Sequence, residues 1–338
     1  MRVAVTGGAG FLGQMVVRSL RERGDEAVVI DRRVPTWQLG DGASSVVGDV
    51  CDRHAMTDAL QGCEVLLHSA FAPPYASVRE QERVNSEGVS AVLDAATAAG
   101  VRRAVIVSST IVERKLRRHP LSKNLPASRL VTYAKTRQRG EQAALVRTDI
   151  SVGVARPRTL VGAGAIGAFA LQLRNVASGQ PVVLFGPGSA RYQLLHVGDF
   201  ASALTLFARA THEGVLEFGS REVLPFREEM AQLIEHAATT STVLLTRPFL
   251  GKALIRVVPL LGLPPAAEIY ESLVHQKNVL VNNDAAYEAI GWKPLLSNVD
   301  SLIDAYDWYI SSKNTLPNHP VPRSHALGMR LLNRLARL

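Results

Sequence analysis

Cysteine is scarce in this chain of 338 residues, which contains only Cys51 and Cys63. Two widely spaced thiols cannot build a disulfide framework, and their spacing does not match a paired-cysteine metal site. Histidine, cysteine and carboxylate side chains do not cluster at metal-ligand spacing, so no metal site is expected. This cysteine usage is typical of a reducing compartment.

Long apolar runs are also missing. Stretches such as 244–265 are broken by charged residues, here Arg247, Lys252 and Arg256, so no membrane-spanning helix is predicted. The first predicted strand begins at Arg2, and we therefore expect no signal peptide. Together with the few cysteines, these absences predict a soluble, cytoplasmic protein.

The chain does carry an excess of basic residues, with 38 Lys and Arg against 30 Asp and Glu. Such an excess fits an anionic ligand, a membrane surface or nucleic acid. No helix-turn-helix, zinc or aromatic-basic pattern supports nucleic-acid binding. Residues 313–338 form a basic amphipathic tail, which we expect to dock on the protein or a partner subunit. Weak contact with an anionic membrane surface is the alternative.

Short β-branched runs alternate with helical patterns through the first half of the chain, which is typical of βαβ units on a parallel sheet. The predicted strands are Arg2–Val5, Ala27–Ile30, Ser45–Val47, Val65–Leu67, Ala104–Val107, Ser151–Ala155, Val182–Leu184 and 192–196. The predicted helices are Phe11–Glu22, His54–Leu60, 84–99, 132–146, 166–178, 199–209 and 297–312. The region 226–292 is predicted to be helical and punctuated by proline.

This pattern predicts an α/β protein with a Rossmann-type, doubly wound parallel sheet and a smaller, mainly helical C-terminal substrate lobe. We assign residues 1–165 to the dinucleotide-binding domain, with 190–210 returning to it. Residues 166–189 and 211–312 form the predicted substrate lobe.

The most informative segment runs from the first strand into a glycine-rich turn and a helix. Gly7, Gly10 and Gly13 stand where such a turn is tight and where the backbone approaches a pyrophosphate. The phosphates then lie on the free N–H groups at the N-terminus of the helix. Asp31 ends the second strand, where an acidic side chain can hold a ribose 2′-hydroxyl.

These residues resemble the extended short-chain dehydrogenase/reductase family, of the NAD-dependent epimerase/dehydratase type. The family pattern TGxxGxxG corresponds to Thr6, Gly7, Gly10 and Gly13, and further landmarks follow in family order over residues 1–310. The resemblance implies a cofactor site formed by Thr6, Gly7, Gly10, Phe11, Leu12, Gly13, Asp31, Arg32, Arg33, Asp49, Val50, His68, Ser69, Ala70, Asn85, Ser108, Tyr133, Arg137, Arg156 and Pro157. It also implies a homodimer, formed through helices 84–99 and 132–146.

The same resemblance implies that Thr110, Tyr133 and Arg137 are catalytic. Hydride transfer at a carbinol carbon needs a proton donor or acceptor on the oxygen, and a nearby cation favours the ionised form of a tyrosine. Thr110 would align the reacting oxygen. The family has lysine where this chain has Arg137, and we expect the arginine to act as its surrogate.

The carboxylate of Asp31 favours NAD as the cofactor, while NADP is an alternative through Arg32 and Arg33. The substrate residues are expected among Phe71, Ala72, Thr110, Arg158, Thr159, Arg191 and Tyr192. A sugar nucleotide or related small molecule is slightly favoured as the substrate. A hydrophobic ketone of sterol, polyketide or lipid type is the alternative, and a catalytically impaired NAD-binding regulator is a third hypothesis.

Overall fold

The computed structural model describes residues 1–113, 129–247 and 278–312. Its strands are β1 (Arg2–Thr6), β2 (Glu26–Asp31), β3 (Ala43–Val47), β4 (Val65–His68), β5 (Arg103–Val107), β6 (Ser151–Pro157), β7 (Thr159–Val161), β8 (Val182–Phe185), β9 (Leu194–His196), β10 (Gly214–Phe218) and β11 (Val243–Thr246). Its α-helices are α1 (Phe11–Glu22), α2 (Arg53–Ala59), α3 (Val78–Glu82), α4 (Gly88–Ala98), α5 (Arg129–Leu145), α6 (Ala170–Ala177), α7 (Val197–Arg209), α8 (Phe226–Ala237), α9 (Asp284–Ile290) and α10 (Asn298–Ser312).

The chain divides into two compact units. The first comprises Met1–Arg158, Val197–Gly219 and Asn282–Pro294. The second comprises Thr159–His196 and the described parts of 220–281 and 295–338. Residues 211–219 and 282–294, which the sequence pattern assigned to the substrate lobe, therefore lie in the first unit, because β10 pairs with β6 and α9 packs on β10.

The first unit is built on a seven-stranded parallel sheet in the order β3-β2-β1-β4-β5-β6-β10. The strands at its centre are short apolar runs, and every residue of β4 and β5 is buried. Such burial is expected where helices cover both faces of a parallel sheet. The strand order reverses between β1 and β4, and a ligand crevice is expected beyond the carboxyl ends of these two strands. The predicted fold class is thereby confirmed.

The predicted helix 84–99 proved to be the later part of a longer helical segment. That segment begins at Val78, where the Ser77 hydroxyl accepts a hydrogen bond from the Glu80 backbone N–H. It passes through a π-helical turn, Arg83–Glu87, before α4 begins. A π-turn inserts an extra residue into the helical repeat and is common at functional sites.

The second unit contains two short parallel strand pairs, β7 with β9 and β8 with β11. Its core includes the buried side chains of Phe169, Tyr192, Phe226 and Leu302. The prediction that 226–292 is helical was wrong at β11, because this β-branched and aliphatic run pairs with β8 instead of forming a helix turn.

Several predictions fall outside the described residues, including the basic tail 313–338 and most of the proline-punctuated region after 247. Within residues 1–113, 129–247 and 278–312, no helix has both the length and the apolar character needed to span a bilayer. The homodimer stays a prediction.

Candidate cofactor and catalytic site

The glycine-rich turn connects β1 to α1 in the first unit. Gly7 adopts a φ of +70°, and a Cβ atom there would lie 2.7 Å from the backbone nitrogen of Ala70. The turn is closed by a hydrogen bond from the Gly10 N–H to the Gly7 carbonyl (3.1 Å). Among the described residues, no side chain caps the N-terminus of α1. Its free N–H groups and the positive end of its dipole therefore suit an anion such as a pyrophosphate.

Asp31 lies at the end of β2, beside this turn. One carboxylate oxygen accepts a hydrogen bond from the Ala9 N–H, and the other accepts one from the Arg33 N–H, both at 3.2 Å. The side chain is thus anchored to backbone on both sides. An acidic group so anchored at the end of the second strand is suited to a ribose hydroxyl.

Asp49 belongs to a chain of ion pairs near the same strand ends. The Arg83 guanidinium donates to Asp49 at 3.0 Å and makes two hydrogen bonds to Glu80, also at 3.0 Å. Arg32 donates to Glu80 at 2.8 Å. Burial tends to raise the pKa of Asp49, but hydrogen bonds from the Cys51 N–H and Arg83 lower it below its ordinary value. The prediction that Asp49 belongs to the cofactor site therefore concerns a carboxylate that is already engaged by Arg83. Val50, the next residue, is buried in the core.

The end of β4 is joined to the end of β1 by side chains. The Thr6 hydroxyl and His68 Nδ1 are 2.8 Å apart, and the Ser69 hydroxyl donates to the Thr6 carbonyl at 2.7 Å. His68 is fully buried. Burial, with the positive charge of Arg137 as a second cause, lowers the pKa of His68 to about 3. The imidazole is therefore neutral, and its role here is to fix the two strand ends together.

Asn85 stands in the π-turn and is buried. Its amide makes two hydrogen bonds to the backbone of Ala72, accepting from the N–H at 2.7 Å and donating to the carbonyl at 2.9 Å. It also donates to the Thr136 hydroxyl at 3.3 Å. Asn85 therefore holds the loop after β4 and ties it to α5.

Tyr133 and Arg137 lie one turn apart on α5, and both are buried. The Arg137 guanidinium carbon lies 5.9 Å from the centre of the Tyr133 ring and 5.5 Å from that of Phe71. One guanidinium nitrogen donates to the Val107 carbonyl at the end of β5. The two rings pack edge to face, with centroids 6.3 Å apart. Arg137 thus brings a fixed positive charge next to the tyrosine.

Thr110 begins the short 3₁₀ turn that follows β5. The adjacent residues Ile111 and Val112 pack in one cluster with Tyr133. The Thr110 hydroxyl accepts a hydrogen bond from the Arg158 guanidinium at 2.9 Å and makes a long one to the Pro157 carbonyl, at 3.4 Å. Since a guanidinium can only donate, Arg158 leaves the proton of Thr110 available to an acceptor.

Ser108 and Arg156 meet at a residue that the sequence pattern did not single out. The buried carboxylate of Glu141 accepts from the Ser108 hydroxyl at 2.8 Å and from two nitrogens of Arg156, one at 3.1 Å. Both residues predicted to contact the cofactor are therefore held by Glu141. The signal available in the sequence was its position four residues after Arg137, on the same face of α5.

The remaining predicted substrate residues, Thr159, Arg191 and Tyr192, lie in the second unit. Tyr192 is buried, and its hydroxyl lies 2.8 Å from that of Thr159. Arg191 is exposed and donates to the Val223 carbonyl at 3.2 Å. Thr110, Tyr133, Arg137, Arg158, Phe71 and Ala72 all belong to the first unit.

Comparison with known proteins finds a matching family model, similar relatives and similar folds. The model of the NAD-dependent epimerase/dehydratase family matches residues 3–218. The chain is similar to a ceramide reductase of Caulobacter vibrioides, with 32% identity over 64% of this chain and 63% of the relative. It is also similar to a 2-alkyl-3-oxoalkanoate reductase of Stenotrophomonas maltophilia, with 30% identity over 69% of this chain and 75% of the relative.

Among solved structures, it resembles a DesIV double mutant, a dTDP-glucose 4,6-dehydratase from Streptomyces venezuelae with NAD bound. The TM-score is 0.70 at 20% identity, and the match covers 93% of this chain and 98% of that one. At this identity the likeness concerns the fold.

Proposed function

This chain belongs to the NAD-dependent epimerase/dehydratase family, and we propose that it uses NAD to move a hydride to or from a secondary alcohol or ketone carbon. The observation that carries the proposal is the buried Arg137 guanidinium beside the Tyr133 ring, next to the turn that begins at Thr110. The glycine turn, the uncapped helix N-terminus and the anchored Asp31 fit the pyrophosphate and ribose of a dinucleotide.

In the reducing direction, NADH held at the glycine turn and by Asp31 would supply the hydride for the carbonyl carbon. The Tyr133 hydroxyl then gives its proton to the carbonyl oxygen, and the nearby charge of Arg137 stabilises the tyrosinate that remains. Thr110 donates a hydrogen bond to the same oxygen, replacing its long bond to Pro157. Arg158 fixes the direction of that donation, because it can only donate to the Thr110 oxygen.

We further propose that the substrate is a ketone with a large apolar part. Phe71 is 43% exposed although it lies against Tyr133, so an apolar ring is available to a substrate beside the proposed proton donor. The names of the two curated relatives describe reductases of a ceramide and of 2-alkyl-3-oxoalkanoates. A sugar nucleotide is the second candidate, since a dTDP-glucose 4,6-dehydratase has a similar fold.

The first test is to denature the purified protein and identify any nicotinamide that is released. A reductase exchanges its cofactor at every turnover, so we expect little bound NAD and reversible binding of NADH. Tightly held NAD near one per chain would instead favour the sugar-nucleotide candidate, in which the cofactor is regenerated on the enzyme.

The second test follows NADH oxidation with a panel of long-chain ketones, 3-oxoacids and sugar nucleotides. We expect turnover with an apolar ketone, and a loss of at least about 100-fold in kcat for Tyr133→Phe, because the proton donor is removed. Tyr287→Phe is the matched control, since Tyr287 is an exposed tyrosine on α9. Unchanged kcat in Tyr133→Phe would contradict the proposed role.

A further inference from the structure

Glu80 joins Arg83 to Arg32 in the ion-pair chain Asp49–Arg83–Glu80–Arg32. We call these four residues the ribose-end network. Arg83 makes two hydrogen bonds to the Glu80 carboxylate, and Arg32 makes a third. The hydrogen bonds from Arg83 hold the pKa of Glu80 below its ordinary value. Glu80 is therefore an ionised acceptor on which two arginines converge.

The network lies beside the position expected for the adenosine ribose. Arg32 directly follows Asp31, whose carboxylate is anchored to the glycine turn through the Ala9 N–H. In dinucleotide-binding proteins, an arginine near this position accommodates the 2′-phosphate that distinguishes NADP from NAD. Here Arg32 is committed to a carboxylate that arises on α3, nearly fifty residues later in the chain.

We propose that Glu80 is a specificity-determining residue, which disfavours NADP by holding Arg32 in the ribose-end network. The inference rests on the proposed function, because it requires a dinucleotide at the glycine turn. Two effects act together. Glu80 occupies the guanidinium that a 2′-phosphate would need, and its negative charge repels that phosphate. Asp31 repels the phosphate as well, so Glu80 adds to the usual acidic determinant.

Arg83 and Asp49 keep Glu80 in place. Arg83 binds Glu80 through two nitrogens and reaches Asp49 with a third, so the carboxylate that holds Arg32 is itself positioned from two sides. Isolated surface ion pairs contribute little, but a network with bidentate geometry restricts its members more strongly. Arg32 therefore has a better defined partner than an ordinary exposed arginine.

The test measures the dissociation constants of NADH and NADPH by fluorescence titration of the cofactor-free protein. For Glu80→Gln we expect NADPH to bind about five- to tenfold more tightly, because Arg32 can exchange its ion pair with Glu80 for one with the 2′-phosphate. NADH affinity is expected to change by less than about twofold, because NADH has no 2′-phosphate. The matched control is Glu82→Gln. It removes a carboxylate from the same helix, but Glu82 pairs with Arg139, which lies outside the ribose-end network. Glu82→Gln is expected to leave both affinities unchanged.

A second variant tests the route through Arg32. In Arg32→Ala/Glu80→Gln we expect most of the gain in NADPH affinity to be lost, and only the smaller part that comes from removing the repulsion by Glu80 to remain. An unchanged NADPH affinity in Glu80→Gln, an equal gain in Glu82→Gln, or an undiminished gain without Arg32 would each overturn the inference while NADH still binds. Failure of the wild-type protein to bind either cofactor would instead overturn the proposed function, and the inference with it.

Discussion

Arg137 is the residue at which this chain departs from the family pattern, and its surroundings suit a guanidinium. Its guanidinium lies beside the Phe71 and Tyr133 rings, 5.5 Å and 5.9 Å from their centres, and donates to the Val107 carbonyl. A planar cation gains from such contact with aromatic rings, whereas an ammonium is a compact and strongly hydrated point charge. Arg137 therefore keeps the positive charge at the tyrosine while fitting a drier, more aromatic site.

Two substitutions separate the charge of Arg137 from its shape. We expect Arg137→Ala to weaken NADH binding about tenfold, because a buried charge-assisted donor is lost, and to abolish ketone reduction. Arg137→Lys is expected to retain most turnover and the same pH–rate profile, because the charge beside Tyr133 remains. NADH titration and initial-rate kinetics measure both effects.

Lys135 provides the control, since it is an exposed cation on the same helix, two positions away on another face. Lys135→Ala should resemble the wild type in both measurements. Full activity in Arg137→Ala would show that the arginine does not serve as the surrogate of the family lysine.

At the scale of elements, the site depends on the close packing of α5 against the π-turn. A Cβ atom at Gly140 would lie 2.1 Å from the Asn85 carbonyl oxygen and 2.9 Å from a methyl group of Val89. The backbone of α5 can therefore approach the turn only because this position is glycine. The same helix carries Tyr133 and Arg137, and the same turn carries Asn85, which holds the loop at Ala72.

We accordingly expect Gly140→Ala to lower the free energy of unfolding by about 1–3 kcal/mol, as overpacked sites do, and to weaken NADH binding because Asn85 and α5 shift together. Chemical denaturation and NADH titration measure the two effects. Gly167→Ala is the control, since its added Cβ meets no atom within 4 Å among the described residues, apart from Gly167 itself and its two chain neighbours. A Gly140→Ala protein as stable as the wild type would contradict the packing argument.

The sequence predicted elements well where periodicity alone decides them. The helix Phe11–Glu22 has the predicted bounds, because a glycine turn precedes it and its apolar positions follow a helical period. The strand β10 and the strand β11 were not predicted, because short strands are recognised mainly through partners that are distant in sequence. Glu80 and Glu141 were missed for the same reason: their importance comes from Arg32 and Arg156, which folding brings to them.

At the scale of the whole molecule, the second unit contains a buried ionisable side chain that makes the stability of the protein depend on pH. Glu229 is fully buried near the start of α8. One of its oxygens accepts from the Asn298 amide at 2.8 Å and from the Leu224 N–H at 3.1 Å. Within the described residues, the other oxygen has no hydrogen-bond partner. Burial raises the pKa of Glu229 to about 8, despite these hydrogen bonds.

The direction of the resulting pH dependence follows from proton binding. An unfolded chain releases the Glu229 proton near the ordinary pKa of 4.5, while the folded protein keeps it until about 8. Between these values the folded state binds the extra proton, so its stability falls as pH rises, with a slope approaching about 1.4 kcal/mol per pH unit. Above about pH 8 this contribution stops changing.

Glu229→Gln should therefore flatten the decline in stability between about pH 5 and pH 8, because an amide does not ionise. The free energy of unfolding of Glu229→Gln relative to the wild type should increase as pH rises. This is expected even though, within the described residues, the Gln amide N–H₂ meets no acceptor at the position of the second oxygen. Denaturant unfolding at a series of pH values measures this slope. Glu228→Gln is the matched control on the same helix turn, where the side chain is 47% exposed and pairs only loosely with Arg227. Parallel pH profiles for Glu229→Gln and the wild type would mean that the folded protein tolerates the Glu229 carboxylate, and that water or a shift of α8 solvates it.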